Sequence, residues 1–119
     1  MNELTQQQCR PCHGGALPLD RQEVDRLLGE LPDWKLNDSA TRISRLFQWR
    51  DFYQTMAFVN AVAWVAHQED HHPDLEIGYN RCLVQYTTHG VGGLSHNDFI
   101  CAAKVDAMFA REGLAIRKP

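Results

Sequence analysis

The chain has 119 residues, 44% hydrophobic and 23% charged, with a formal net charge of −3. That length suits one domain with a real core that still gains from oligomerising, and the composition excludes disorder. Between Arg50 and Lys104 Arg81 is the only cation, set against Asp51, Glu69, Asp70, Asp74, Glu76 and Asp98. A nucleic-acid partner needs clustered Lys and Arg to displace counterions, so nucleic acid is set aside.

No stretch reaches the ~20 apolar residues of a membrane span; the longest apolar run, Met56 to Ala66, is broken by Asn60. The start, MNELTQQQCR, lacks the basic and apolar regions of a signal peptide, so the chain is expected in the cytoplasm. Cysteines 9, 12, 82 and 101 are then expected as thiols. Residues 1–18 read as a polar, flexible leader with no ligand, and residues 19–119 as a single domain. Within the leader, Cys9 to His13 (CRPCH) matches the C-x-x-C-H pattern of covalent haem attachment, and its first four residues match a redox or half-zinc motif. No export signal precedes it, and it lies beside neither a strand nor a helix.

Three helix starts carry an N-cap residue followed three positions later by a carboxylate or amide: Asp20 with Glu23, Asp51 with Gln54, Ser95 with Asp98. The first helix is predicted over about 21–31, with Val24, Leu27, Leu28 and Leu31 on one face and Pro32 as its stop. WKLN, before Asn37-Asp38, is expected to pair with TRISRLFQW as a hairpin. In the second strand Ile43, Phe47 and Trp49 share a parity that Arg45 interrupts. The second helix, from Phe52 towards Glu69, presents Phe52, Met56, Val59, Ala63 and Ala66 as a stripe, with Phe58, Val62 and Val65 beside it. LEIGY alternates Leu75, Ile77 and Tyr79 outward from Glu76 and Gly78, and RCLVQYTTH places Cys82, Val84 and Tyr86 on one face. A third helix, about 96–111, carries Phe99, Ile100, Ala103, Ala107 and Ala110, with Gly113 as its end. Short connections favour an antiparallel sheet with the helices on one face, an α+β fold of order α-β-β-α-β-β-α.

The chemistry concentrates in HQEDHH, residues 67–72. His67 and His71 have the four-residue spacing of zinc ligands on a helix, and His89 or Asp98 would supply a third. The H-E-x-x-H pattern, however, requires glutamate directly after the first histidine. Here Gln68 follows His67, and Glu69 points about 200° round the helix. A second reading lets His71 and His72 finish the helix, where imidazolium suits the negative end of the dipole. A third makes the histidines proton carriers, since a reference pKa of about 6.5 serves acid and base roles alike. His89 supports this reading: it sits at a predicted strand end before the glycine loop GVGG, where position is fixed and access remains. Asp98 has a bland role available as the third-position carboxylate of the Ser95 capping box. The lack of a paired nucleophile and of a nucleotide fingerprint points to proton transfer on a small, neutral, hydrogen-bonding substrate, with the zinc reading still open.

HQEDHHPDLEIGYNRCLVQYTTHGVGGLSHNDF closely resembles the signature of the pterin-4a-carbinolamine dehydratases. His71-His72-Pro73, the aromatic Tyr79, TTH ending in His89, GGLS and Asp98 all stand at matching spacings. The resemblance runs from about the first helix to Asp106, and the cysteine leader resembles that of bacterial members. It implies a four-stranded antiparallel sheet with helices on one face, assembled as a homodimer or homotetramer. It also implies dehydration of 4a-hydroxytetrahydropterin to quinonoid dihydropterin without metal or cofactor, in support of an aromatic amino-acid hydroxylase. His71, His72 and His89 would then be the catalytic trio: His71 and His89 acids towards the 4a-hydroxyl, His72 holding the pterin. Asp98, Thr88, Asp70 and His67 would support substrate and site. The pattern departs at His67, where members of this type often carry glutamate, so an imidazole there would alter the tuning of His71. Some relatives serve as dimerising or assembly partners of other proteins, which is the alternative role.

Overall fold

The computed structural model describes residues 3–11 and 16–110. Cys12 and His13 of the cysteine motif, and the helix stop expected at Gly113, lie outside the described residues. Helix α1 (Arg21–Leu28) is followed by strands β1 (Lys35–Leu36) and β2 (Ile43–Gln48), helix α2 (Phe52–Glu69), strands β3 (Asp74–Ile77) and β4 (Arg81–Tyr86), and helix α3 (His96–Ala110). The sheet has the order β1-β2-β4-β3 with every pair antiparallel. This is the fold read from the sequence.

Asp20 Oδ1 accepts the Glu23 N–H at 2.9 Å and Asp51 Oδ1 the Gln54 N–H at 2.9 Å, so both caps form. The α1 helix stops at Leu28, earlier than Pro32 alone requires. Two tight turns, Leu31 N–H to Leu28 O and Trp34 N–H to Leu31 O, carry Leu31 and Trp34 into the core in its place. The β1–β2 hairpin is set by Asn37, whose Oδ1 accepts the N–H groups of both Thr41 and Arg42.

The inward face of the sheet carries Ile43, Phe47, Cys82, Val84 and Tyr86, all essentially inaccessible. Arg45 shares that parity without breaking it. Its guanidinium lies 4.4 Å from the Phe47 ring centre and 4.9 Å from that of Phe109, and Nη1 donates to Asp106 Oδ1 at 2.8 Å. The charged head is thus paired while the stem covers the aromatic core. The buried face of α2 is narrower than the expected broad stripe: Phe58, Val59, Val62 and Val65 are buried, whereas Phe52 and Ala63 are exposed. An all-round apolar helix leaves its phase ambiguous, and here packing against the sheet decides it. Strand β3 ends at Ile77, and Tyr79 stands in the turn beyond, exposed.

The leader requires a correction. Residues 3–11 were expected to make few buried contacts, but Glu3–Gln6 forms a 3-10 turn packed on α3, and Leu4 is buried in the core cluster. This second cover explains why α3 buries Phe99, Ile100, Cys101, Ala102 and Ala103 in unbroken succession. One side of the helix meets the rest of the core and another meets the leader. Leu4→Ala should therefore lower unfolding free energy by about 2–5 kcal/mol, the usual range for a truncated core leucine, as measured by urea denaturation. A leader that merely hung from the domain would give no change.

Candidate active site

Asp98 lies in the first turn of α3 and is wholly buried. Its Oδ2 accepts the Ser95 N–H at 3.0 Å and the Thr88 hydroxyl at 2.7 Å, while Oδ1 lies 2.7 Å from His71 Nε2. The capping role and the site role are thus held by one carboxylate through different oxygens. The Ser95 hydroxyl is drawn away from the cap and pairs with Thr88 Oγ1 at 2.8 Å. Because a carboxylate acting as acceptor needs a donor opposite it, the neutral His71 ring carries its hydrogen on Nε2. That leaves Nδ1 as the nitrogen for proton exchange.

His71 reaches Asp98 because α2 ends sharply. Asp70, with φ +51°, adopts the left-handed cap conformation, and both its N–H and that of His71 turn back to Ala66 O. The imidazole retains 13% of its accessible surface and lies face to face with Tyr86, with ring centres 5.9 Å apart and planes 13° from parallel. Burial pushes the Tyr86 phenol well above its usual range, with Cys101, Cys9 and Asp98 adding to the effect, so the ring stays neutral beneath His71.

Thr88 extends β4 by a bridge to Gly93, and His89 opens the 3-10 turn His89–Val91 that follows. The loop needs its glycines at two points. Gly92 has φ +70°, and a Cβ on Gly93 would meet Pro18 Cβ at 2.9 Å. His89 is exposed, and its neighbour Thr88 is the residue bonded to Asp98. His72 is also exposed, directly beside His71.

The structure joins His71, Thr88 and Asp98 into one hydrogen-bonded set, and holds His72 and His89 as chain neighbours of two of its members. It does not bring His67 or Asp70 into that set among the described residues. The His67 ring leans on Trp64 at 5.8 Å on the outer side of α2, and Asp70 serves as the helix cap with its residue exposed. Since the helix ends at Glu69, His67 and His71 do not share one helix face, and the zinc spacing has no geometric counterpart. Among the described residues no group of three His, Cys, Asp or Glu is arranged to hold a metal ion.

Sequence reasoning missed Tyr86 as the floor beneath His71, and Ser95 as a hydroxyl partner of Thr88. Strand parity placed Tyr86 inside, yet nothing local to it points to residue 71. A cleft of about 480 Å³ adjoins this network, lined by Gln7, Arg10, Leu19, Ser95, His96 and Asn97 among others, and touches it through Ser95.

The family profile of pterin 4 alpha carbinolamine dehydratase matches residues 17–108. The chain belongs to this family. A protein from Nitrosomonas eutropha, provisionally named as such a dehydratase, is 60% identical over 107 residues, which is 89% of this chain and 93% of its own. A Stenotrophomonas maltophilia relative with the same provisional name is 50% identical over 88% of this chain and 90% of its own. Among solved structures, a transcriptional coactivator/pterin dehydratase from Brucella melitensis superposes with a TM-score of 0.72 at 32% identity. That match covers 76% of this chain and 96% of the other. A pterin dehydratase-like protein described as a RuBisCO assembly factor shares the fold, with a TM-score of 0.55 at 21% identity over 63% of this chain and 87% of its own.

Two measurements check the geometry. Asp98→Ala leaves the Ser95 N–H and the Thr88 hydroxyl without their acceptor, and should cost about 2–5 kcal/mol by chemical denaturation. Glu69 offers a pH signature. Burial pushes its carboxyl up, but the Cys9 N–H and the Lys104 ammonium more than offset this and hold it below the usual range. A carboxyl lowered in the folded state contributes stability that is present above its unfolded pKa, about 4.3, and lost as pH falls through the folded value. The protection of the Cys9 amide, which donates to Glu69 Oε1 at 2.8 Å, taken relative to its intrinsic exchange rate at each pH, should therefore fall below about pH 4 before that of the β4 amides follows.

Proposed function

We propose that this member of the family is an active hydro-lyase that removes water from 4a-hydroxytetrahydropterin to give quinonoid dihydropterin, recycling the pterin for an aromatic amino-acid hydroxylase. The observation that carries the reading is the His71 imidazole. It is fixed through Nε2 by a wholly buried carboxylate and still open to solvent on part of its surface. Elimination needs one proton delivered to the departing 4a-hydroxyl and one removed from the adjacent ring nitrogen. A histidine oriented by Asp98 is suited to such transfer at neutral pH.

In this reading His71 and His89 act as acids towards the hydroxyl, the imidazole that gives its proton being reprotonated by the one lost from the adjacent ring nitrogen, and His72 anchors the ring. Thr88 acts through Asp98 to hold the site, while Asp70 positions His71 through the backbone turn. His67, on the far side of Trp64, has at most an indirect influence. No metal or cofactor is needed, because water loss is a proton-transfer problem that imidazoles meet unaided. Protein stripped with a chelator should accordingly keep its activity.

A second reading, a scaffold or assembly partner, draws on what the Brucella and RuBisCO-assembly relatives are said to do. It also draws on the exposed aromatics Tyr53, Trp64 and Tyr79. A pure scaffold has no use for a histidine locked to a buried aspartate, so catalysis is preferred. The Tyr53 and Trp64 side of α2 also suits contact between copies, in keeping with a homodimer or homotetramer.

The test is turnover of enzymatically generated 4a-hydroxytetrahydropterin by the purified protein. Against a positioned acid–base contribution of ~10²–10⁴-fold, His71→Ala and His89→Ala should each lower kcat by at least tenfold. His72→Ala should chiefly raise KM, because a lost anchor weakens ground and transition states alike. All three variants within about twofold of wild type would leave the scaffold reading standing.

A further inference from the structure

We propose that Cys9–Arg10 of the leader is a strap that holds the His71–Asp98 pair in register, with Glu69 and Asn97 as the positioning residues that receive it. The inference rests on the dehydratase reading and extends the site to a segment outside the residues matched by the family profile.

Its basis is where the strap is fastened. Glu69, two residues before His71, accepts the Cys9 N–H through Oε1 at 2.8 Å. Its Oε2 takes Lys104 Nζ of α3 at 2.8 Å, so this carboxylate already bridges the end of α2 to α3. Asn97, immediately before Asp98, pairs with both backbone groups of Arg10. Its Oδ1 accepts the Arg10 N–H at 3.0 Å and its Nδ2 donates to the Arg10 carbonyl at 2.7 Å. The two-way pairing resembles a rung of a sheet ladder and fixes both the position and the direction of the strap. Between these fastenings the Cys9 sulfur lies 3.6 Å from Asn97 O and 3.5 Å from Cys101 Sγ, and Cys101 Sγ lies 3.9 Å from the carbonyl of His71.

Every one of these contacts lands on one of two segments, the end of α2 or the first turns of α3. Those segments carry His71 and Asp98 respectively, yet they are far apart in the chain and meet at the 2.7 Å bond between the two side chains. The strap is a third body bonded to both. Its fastenings are mostly directional hydrogen bonds, several of them screened from water, so they define an angle and a distance where apolar contact would tolerate sliding. For proton transfer this matters disproportionately, since a displacement of about 1 Å in a catalytic group can cost as much as ~10²-fold in rate.

The experiment compares Glu69→Ala, Glu69→Gln and Asn97→Ala with wild type in the full-length protein. Two readouts are taken: steady-state kinetics, and the NMR signals of the His71 ring, identified by their loss in His71→Ala. A strap predicts that Glu69→Ala and Asn97→Ala lower kcat by about tenfold with KM within twofold, and shift or broaden the His71 signals. Glu69→Gln, which keeps an oxygen for the Cys9 N–H, should recover most of both. Cys9→Ala, which keeps that N–H, should stay close to wild type. If Asn97→Ala does not fold, Arg10→Pro breaks the same Arg10 N–H to Asn97 Oδ1 bond from its donor end and is read in its place. Folded Glu69→Ala and Asn97→Ala proteins with native His71 signals and wild-type kcat would overturn the proposal. The NMR readout needs no substrate, so it decides the strap even if the wild-type protein turns over no pterin; that result would instead remove the dehydratase reading.

Discussion

The buried carboxylate of Asp98 constrains the rest of the molecule. A group with no access to water must find all its partners inside the protein, and each partner then becomes a fixed point. Ser95 fixes the start of α3, Thr88 the end of β4, and His71 the exit from α2. Three elements, β4 and α3 consecutive in the chain and α2 well before them, are thus tied at one carboxylate, at the edge of the core. An apolar residue at position 98 would satisfy packing but could not orient an imidazole. The polar centre orients the imidazole, and the surrounding apolar core supplies the stability that allows it.

Packing supports that centre from beneath and from outside. Tyr86 stacks under His71 and sets the plane of its ring, while its hydroxyl, fully buried, has no hydrogen-bond partner among the described residues. Leaving a buried hydroxyl unpaired is unfavourable by about 1–3 kcal/mol, and the neighbouring sulfurs of Cys9 and Cys101 offer only weak acceptors. Two turns further along α3 Asp106 joins Trp34 Nε1 and Arg45, closing the aromatic cluster of Phe47, Phe58 and Trp49. Burial pushes the Asp106 carboxyl up despite both donors, so here too a carboxylate is held in a place it would not choose alone.

How much of this was legible depended on whether the relevant signal was local. Caps at Asp20 and Asp51, the parity of Cys82, Val84 and Tyr86, and the Asn37 turn are all decided by residues within a few positions, and they appear as read. The stripe on α2 was read broadly enough to include the buried Phe58, Val59, Val62 and Val65, but because apolar residues surround much of the helix only the neighbouring sheet could decide that Phe52 stays exposed. The leader was misjudged for another reason. Its fastenings use the backbone of Cys9 and Arg10, and a backbone N–H is the same at every residue except proline. Side-chain pattern therefore carries no trace of it. At the site, the family resemblance pointed to His71, Thr88 and Asp98, which the fold joins by hydrogen bonds. Motif spacing could not tell that His67, on the helix proper, would point away from a His71 that lies beyond it.

The left-handed turn at Asp70 has one more consequence. Up to Glu69 each added residue rotates the side chain by about 100°; beyond Asp70 the inward imidazole of His71 is followed at once by the outward one of His72. Residue 70 therefore acts as a phase converter between two periodicities, and the identity of the histidine facing Asp98 depends on a count of one. Substitutions nearby are a matter of degree, but deleting one residue between Glu69 and His71 would bring His72 to the inward place, and inserting one would move His71 to the outward place and leave no histidine facing Asp98. Evolution can vary the chemistry of this junction far more freely than its length.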